Sequence, residues 1–446
     1  MSRTRTRKLK RQIGVVGATL LGLGSILGTG VFVSFGLAME TAGPAVLIAI
    51  VIAGLVAGCN ALSSAQLASS YPRSGGTYEY GYRYLTPTLG FTAGWMFLIA
   101  KSASAATAAL GLAGYGLLAF DMYEPGLATA VALGAAGMMT IIVAGGVTRS
   151  NAANAILLAV TIGSLVVFVG VGMHRAIVGS VEHMSPLFPR PAGDVVGAWQ
   201  RSLMTARHLL GATALMFVAY TGYGRIATLS EEVHHPRRTI PIAIVVTLAV
   251  SMLLYLSVGF VAVASVGPEA VVKATQQHAA PLEVVARMWE RPRLGWLMTA
   301  GAITAMGGVL LNLLLGLSRV LLAMGRRRDM PSIVARLDEE GTTPWVAVIV
   351  VGLVVMGLIL LGDIRMAWSL SAFTVLIYYG ITNLAAIRLP KRLRLYPVFI
   401  PWCGLISCLG LAACVNRHAM ITGIVIVVIG LIWHRIVFRR RRSVIG

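Results

Sequence analysis

The amino-acid sequence predicts an all-α membrane protein of twelve transmembrane helices, and three observations predict it. Of its 446 residues, 57% are hydrophobic and only 12% are charged, and the mean hydropathy is +0.81, a composition foreign to soluble globular domains. Apolar runs long enough to cross a bilayer, about 20 residues for about 30 Å of hydrocarbon, recur twelve times along the chain. Lysine and arginine are also unevenly placed. Most of the 37 fall in alternate connecting segments, the bias that sets orientation in a membrane.

In order, the runs cover residues 13–38, 45–64, 89–118, 128–147, 153–173 and 206–229, then 240–266, 294–324, 345–361, 366–387, 399–414 and 420–438. An even number returns the chain to its starting side. The basic clusters at residues 3–11, 326–328, 388–394 and 439–442 mark that side as cytoplasmic. The sequence thus divides into a basic tail (1–12), a core of ten spans (13–390), two further spans (391–438) and a second basic tail (439–446) in the plasma membrane of a bacterium or archaeon. The net charge of +21 is explained by topology and contact with anionic lipid rather than by nucleic acid.

The basic start followed by an apolar run is not read as a secretory signal, because the run is too long and no small-residue cleavage site follows it. Cys59, Cys403, Cys408 and Cys414 all lie in apolar runs without paired spacing, so they are packing residues, and no metal or cofactor is implied. The longest connections, 174–205 and 267–293, are too short for a soluble domain.

The first run holds the feature around which the chain is organised. Gly22, Gly24, Gly28 and Gly30 crowd one stretch, where each glycine costs about 1 kcal/mol relative to alanine in a helix. One reading is a helix break at Ser25, Ile26, Gly28, Thr29 and Gly30, which opens backbone groups to a small polar cavity. The amides of a half-helix starting near Thr29 would suit a carboxylate. The other reading is close helix packing through Gly24 and Gly28. Both stand at the level of sequence.

The loop at 71–84 is rich in tyrosine and fits a cytoplasmic segment at headgroup depth, with Glu79 as a minor binding candidate. Lys101 lies about a dozen residues into the third span, too deep to snorkel easily, and is read either as a structural lysine reaching a backbone carbonyl or water or as a candidate for coupling or substrate contact. The sixth span repeats the glycine signal with Gly222 and Gly224, followed by Arg225. Two interrupted spans separated by four uninterrupted ones are the mark of inverted-repeat transporters.

The residues at 25–32, 217–241, 318–326 and 378–390 carry a specific resemblance over nearly the whole length. The chain resembles the amino acid-polyamine-organocation (APC) superfamily, in particular amino acid permeases of the cationic amino acid transporter-like branch. The resemblance implies a 5+5 inverted repeat with helices 1 and 6 broken, plus two accessory helices. It also implies an α-amino acid substrate, its carboxylate on the amides of Gly28, Thr29 and Gly30. The amino group would meet carbonyls near Ser25, Ile26, Val218, Ala219 and Thr221, beside Gly222.

Three departures from the family pattern matter. Gly224 stands where many relatives carry an acid and Arg225 follows it, so recognition of a cationic side chain does not carry over. Arg225 is read as pairing with Glu79, Glu231 or Glu232, or as meeting a polar or anionic substrate. Thr161 replaces a proton-responsive lysine, and Val218 the aromatic gate, with Phe217 beside it as a substitute. In the eighth span Thr304 and Asn312 offer too little for a sodium site. In the tenth, Trp368, Ser369, Ser371, Thr374 and Asn383 either line a cavity or pack helices.

The expected function is secondary transport of an amino acid by alternating access, with proton symport as the leading mode and exchange as the alternative. A membrane enzyme is disfavoured by the lack of hydrolase, zinc-protease and phosphate-loop motifs, and a sensor by the short tails.

Overall fold

The computed structural model of the protein describes residues 13–71, 75–146, 151–188, 198–228, 233–339 and 341–445. These residues are helical almost throughout, with no strand beyond an isolated bridge of Ile13 with Val233. Nine helical stretches among them are long and apolar enough to cross a membrane, and two further apolar helices are shorter.

Helix α1 (Val15–Ile26) is followed by a wide π turn (Gly30–Ser34), α2 (Phe35–Ala42) and α3 (Val46–Ser70), and Gly43 at φ 58° makes the turn between the last two. Then come α4 (Thr77–Tyr84), α5 (Pro87–Ala119), α6 (Pro125–Ala144), α7 (Asn151–His183) and α8 (Ala198–Tyr220). A 3-10 turn (Thr221–Tyr223) joins α8 to the short α9 (Gly224–Thr228). The remainder is α10 (Pro236–Val266), α11 (Pro268–His278), α12 (Pro281–Met288), α13 (Pro292–Arg326), α14 (Trp345–Leu360), α15 (Ile364–Ile387), α16 (Phe399–Cys414) and α17 (Arg417–Ile445).

Local chemistry explains the starts. Proline opens α5, α6, α10, α11, α12 and α13, at the first helical position, where its missing N–H costs nothing and its fixed φ is already helical. The Thr86 side chain accepts from Leu89 N to cap α5, and Asp363 accepts from Arg365 N and Met366 N to cap α15.

The sequence reading differs from the structure in the connections. The segment 174–205 is not all loop, since α7 runs on to His183. Arg175 donates to Trp289 O at 3.5 Å, and the His183 ring bonds Ala264 O at 2.8 Å, tying the extension to neighbouring helices. The segment 267–293 contains α11 and α12, amphipathic pieces too short and polar for the span signal. Residues 77–84, read as loop, form α4, which packs against the start of α5 through facing glycines: a Cβ on Gly81 would lie 2.5 Å from Gly90 Cα.

The core is built from small residues. Along α5, Ala100, Ala103, Ala106, Ala109 and Ala113 are fully buried, which lets helix backbones approach closely where lipid gives no hydrophobic drive to associate. α5 packs against α13 and α15, α7 against α10 and α13, α3 against α8 and α10, and α6 against α14. α16 and α17 lie to one side, against α3, α5 and α15. Large apolar side chains such as Ile141 and Leu361 point outward, 74% and 73% exposed, as a surface that meets acyl chains requires.

Candidate functional site

The first break falls where the glycines predict it. α1 ends at Ile26, and Leu27 leaves the helix at φ −76°, ψ 96°. Gly28 O accepts from both Val31 N and Phe32 N at 3.2 Å as the chain re-enters through the π turn. Break and close packing coexist. A Cβ on Gly28 would lie 2.5 Å from Val309 Cγ2, and one on Gly30 would lie 2.5 Å from Tyr255 Oη and 2.7 Å from Ala219 Cβ. Gly24 abuts Asn154 Oδ1 in the same way, at 2.8 Å. The carbonyl freed at Ile26 accepts from Tyr255 Oη at 2.9 Å, and the same hydroxyl lies 3.3 Å from Ala219 O. One tyrosine thus answers the exposed carbonyls of both interrupted helices, as a membrane interior demands.

The second break, Thr221–Tyr223, is held by side chains. Thr221 Oγ1 donates to Val218 O at 2.7 Å and accepts from Lys101 Nζ at 2.7 Å, while Tyr379 Oη reaches Thr221 O at 3.4 Å. Gly222 lies directly on the first break, since a Cβ there would overlap the Ser25 carbonyl and stand 2.7 Å from Ile26 N. The two interrupted helices therefore touch backbone to backbone.

A cavity lies at this junction. Ser25, Ile26, Thr29 and Gly30 line it from the first break; Val218, Ala219, Thr221, Gly222, Gly224 and Arg225 line it from the second; Lys101 and Asn312 complete the predicted set. On α13 it follows one face from Val309 to Arg319, about 15 Å at ~1.5 Å per residue. Arg319 is exposed, so the cavity opens toward the end of α13 that carries Arg326 and Arg327. Thr29 is 4% exposed, and its Oγ1 has no hydrogen-bond partner among the described residues. Lys101 is 8% exposed.

Four predicted residues do not line the cavity. Gly28 faces Val309 and Ala305 on α13. Phe217 is fully buried behind Val218, edge-on to Tyr379 at 5.7 Å between ring centroids. Thr161 and Thr304 approach each other at 3.4 Å between α7 and α13, each also bonded to its own helix backbone. Of the tenth-span polar residues, Trp368 lines the cavity, whereas Ser371 pairs with Ser104 at 2.8 Å and Asn383 with Asn60 at 2.6 Å. Glu79 is held by Arg327 through two bonds of 3.1 and 2.6 Å. Glu231 and Glu232 lie outside the described residues.

Sequence reasoning missed Tyr255, Tyr379, Phe97 and Arg319. A lone tyrosine in an apolar run, as Tyr255 is, was the available signal, because its hydroxyl needs a partner in lipid. The described residues contain no cluster of three or more metal-ligating side chains.

Polar ties fasten each side of the cavity. On one side, Tyr78 and Tyr82 both donate to Asp329 Oδ2 at 2.6 Å, and the Arg327 guanidinium lies 4.6 Å from the Tyr82 ring centroid. On the other, Arg287 binds Asp121 and Glu283, and Arg365 binds Glu40 at 2.8 Å. Burial pushes the Glu283 carboxyl up, against the bonds it accepts from Thr299 and Arg287.

Residues 17–437 match the family described as "Amino acid permease". An uncharacterized transporter of Mycobacterium tuberculosis is 36% identical over 98% of this chain and 94% of its own length. A branched-chain amino acid permease of Bacillus subtilis is 28% identical over 78% of this chain and 74% of its own. The vacuolar cationic amino acid transporter 4 of Arabidopsis thaliana is 26% identical over 78% of this chain and 58% of its own.

Proposed function

This chain belongs to the amino acid permease family, and we propose that it carries an amino acid across the plasma membrane by alternating access around the cavity between its two helix breaks. The family is one of transporters, not enzymes. The observation that carries the reading is the contact of Gly222 with the Ser25 carbonyl, which brings both interrupted helices to one cavity within the helical core. In this reading the amides around Gly28, Thr29 and Gly30, with the unpartnered Thr29 hydroxyl, take the substrate carboxylate. Carbonyls of Ser25, Ile26, Val218 and Ala219 take its ammonium group.

Twelve spans in a 5+5+2 arrangement are supported by two features. The stretch Val15–Ser70 is 56 residues long, about 84 Å of helix and too much for a single ~30 Å crossing. The packing pairs are also preserved when the first five spans are exchanged with the next five. The contact of α1 with α10 is matched by α8 with α3, α5 with α15 by α13 with α7, and α5 with α6 by α13 with α14, while α6 with α14 maps onto itself. The basic clusters support a reading with both termini in the cytoplasm, in which the mouth at Arg319 faces inward.

Proton symport is the leading mode and exchange the second. Uptake into proteoliposomes tests the choice. Symport predicts accumulation driven by an inward proton gradient and abolished by an uncoupler. Uptake that ignores pH and sodium gradients but requires internal amino acid would assign exchange.

A further inference from the structure

We propose that the cavity selects an acidic amino acid, one whose side chain ends in a second carboxylate, and that Lys101 takes that carboxylate. This rests on the transporter reading above and adds to it the substrate class.

The first observation is the sign of the lining. Lys101 and Arg319 contribute positive charge, and no aspartate or glutamate lines the cavity among the described residues. Among the described residues, Glu79 is committed to Arg327, and Asp329 to Tyr78 and Tyr82. The second is the state of Lys101. An ammonium group has three N–H donors, and among the described residues this one donates a single bond, to the neutral Thr221 hydroxyl at 2.7 Å. A buried cation without a counter-charge is costly, and here its remaining donors belong to a side chain that lines the cavity.

The third observation is position. Lys101 holds Thr221, the next residue is Gly222, and Gly222 rests on the Ser25 carbonyl. The ammonium therefore stands beside the junction of the two breaks, in the same cavity as the groups that would hold the α-amino and α-carboxylate ends. A cationic side chain would meet like charges. A neutral one would leave the Lys101 donors unpaired.

Binding to the purified full-length protein, read by thermal shift and by radioligand competition, tests this with glutamate, aspartate, glutamine, asparagine, leucine and lysine as probes. The acids should bind about thirtyfold or more tightly than their amides. Lys101→Met should remove that gap, weakening the acids about thirtyfold more than the amides, which lose only what the bond to Thr221 supplied. Arg319→Gln should narrow the gap less, because its charge is exposed and screened. Should Lys101→Met fail to fold, the wild-type ratio of acid to amide and the Arg319→Gln ratio decide. Amides, leucine or lysine binding as tightly as the acids would overturn the acidic assignment while leaving an amino acid site in place. Binding of none of the six would overturn both the assignment and the reading it rests on.

Discussion

The two breaks at the cavity solve one problem by different means. Each must satisfy backbone groups that lipid cannot. The first, at Leu27 and Gly28, does so by shape: glycines let Tyr255, Ala219 and Val309 close against the chain, and the Tyr255 hydroxyl answers the Ile26 carbonyl. The second does so by side-chain chemistry: Thr221 bonds its own helix, takes a bond from the Lys101 ammonium, and has Tyr379 over its carbonyl. A break fixed by shape tolerates few substitutions. One fixed by hydrogen bonds can be retuned, and it is the one that carries charge to the cavity.

The point where the two meet should be the least tolerant. In Gly222→Ala the new methyl would overlap the Ser25 carbonyl and crowd Ile26 N, backbone atoms that no rotamer change can move aside. We expect about 2–3 kcal/mol of strain and uptake in proteoliposomes reduced to background. Retention of a tenth or more of wild-type uptake would mean that the helices are not held in contact during transport. Tyr255→Phe should come next. It leaves Ile26 O and Ala219 O without their shared donor, at about 1–3 kcal/mol for a buried carbonyl. The loss should appear both as a lower melting temperature in detergent and as weaker substrate binding, since one hydroxyl serves both breaks.

This difference also governs how much could be read beforehand. The first break was legible because its cause is compositional: glycines at 22, 24, 28 and 30 conflict with helix propensity, and the conflict points at itself. Lys101 was legible for the same reason, as a charge where none is expected. Tyr255 was not, because nothing in its own segment says which carbonyls its hydroxyl will find; that depends on α10 crossing both interrupted helices. Arg319 looked like part of a basic helix end, and only the course of the cavity along α13 brings it to the mouth. Phe217 shows the converse. Its place beside Val218 suggested a gate, yet a one-residue step along a helix turns a side chain by about 100°, and the ring faces Tyr379 inside the core. Connections were read least well, since α11 and α12 are amphipathic and carry no span signal.

The chemistry of the second break can be taken apart by one side chain at a time. Thr221→Val keeps shape but removes the acceptor for Lys101 and the bond to Val218 O. Thr221→Ser restores both without the methyl group. We expect the valine variant to lose about 1–2 kcal/mol of binding, near tenfold in Kd, and the serine variant to recover most of it. Equal behaviour of the two would show that the methyl, not the hydroxyl, sets this turn, and would make the second break as shape-driven as the first.

Tyr379→Phe should have the smallest effect, and its size sharpens the contrast most. The Tyr379 hydroxyl lies 3.4 Å from Thr221 O, at the weak end of hydrogen-bond geometry, whereas its ring packs edge-on against Phe217 and Tyr378 at 5.7 and 4.9 Å. Phenylalanine keeps the ring, so less than about 0.5 kcal/mol of stability should be lost, and the melting temperature should hardly move. Tyr379→Ala removes the ring contacts as well and should cost about 3–5 kcal/mol, the range for deleting a buried aromatic. A large gap between the two variants would show that Tyr379 supports the second break as a wall behind Phe217, leaving Thr221 and Lys101 to supply its polar hold. A phenylalanine variant as damaged as the alanine variant would instead place the Tyr379 hydroxyl among the groups that hold the turn.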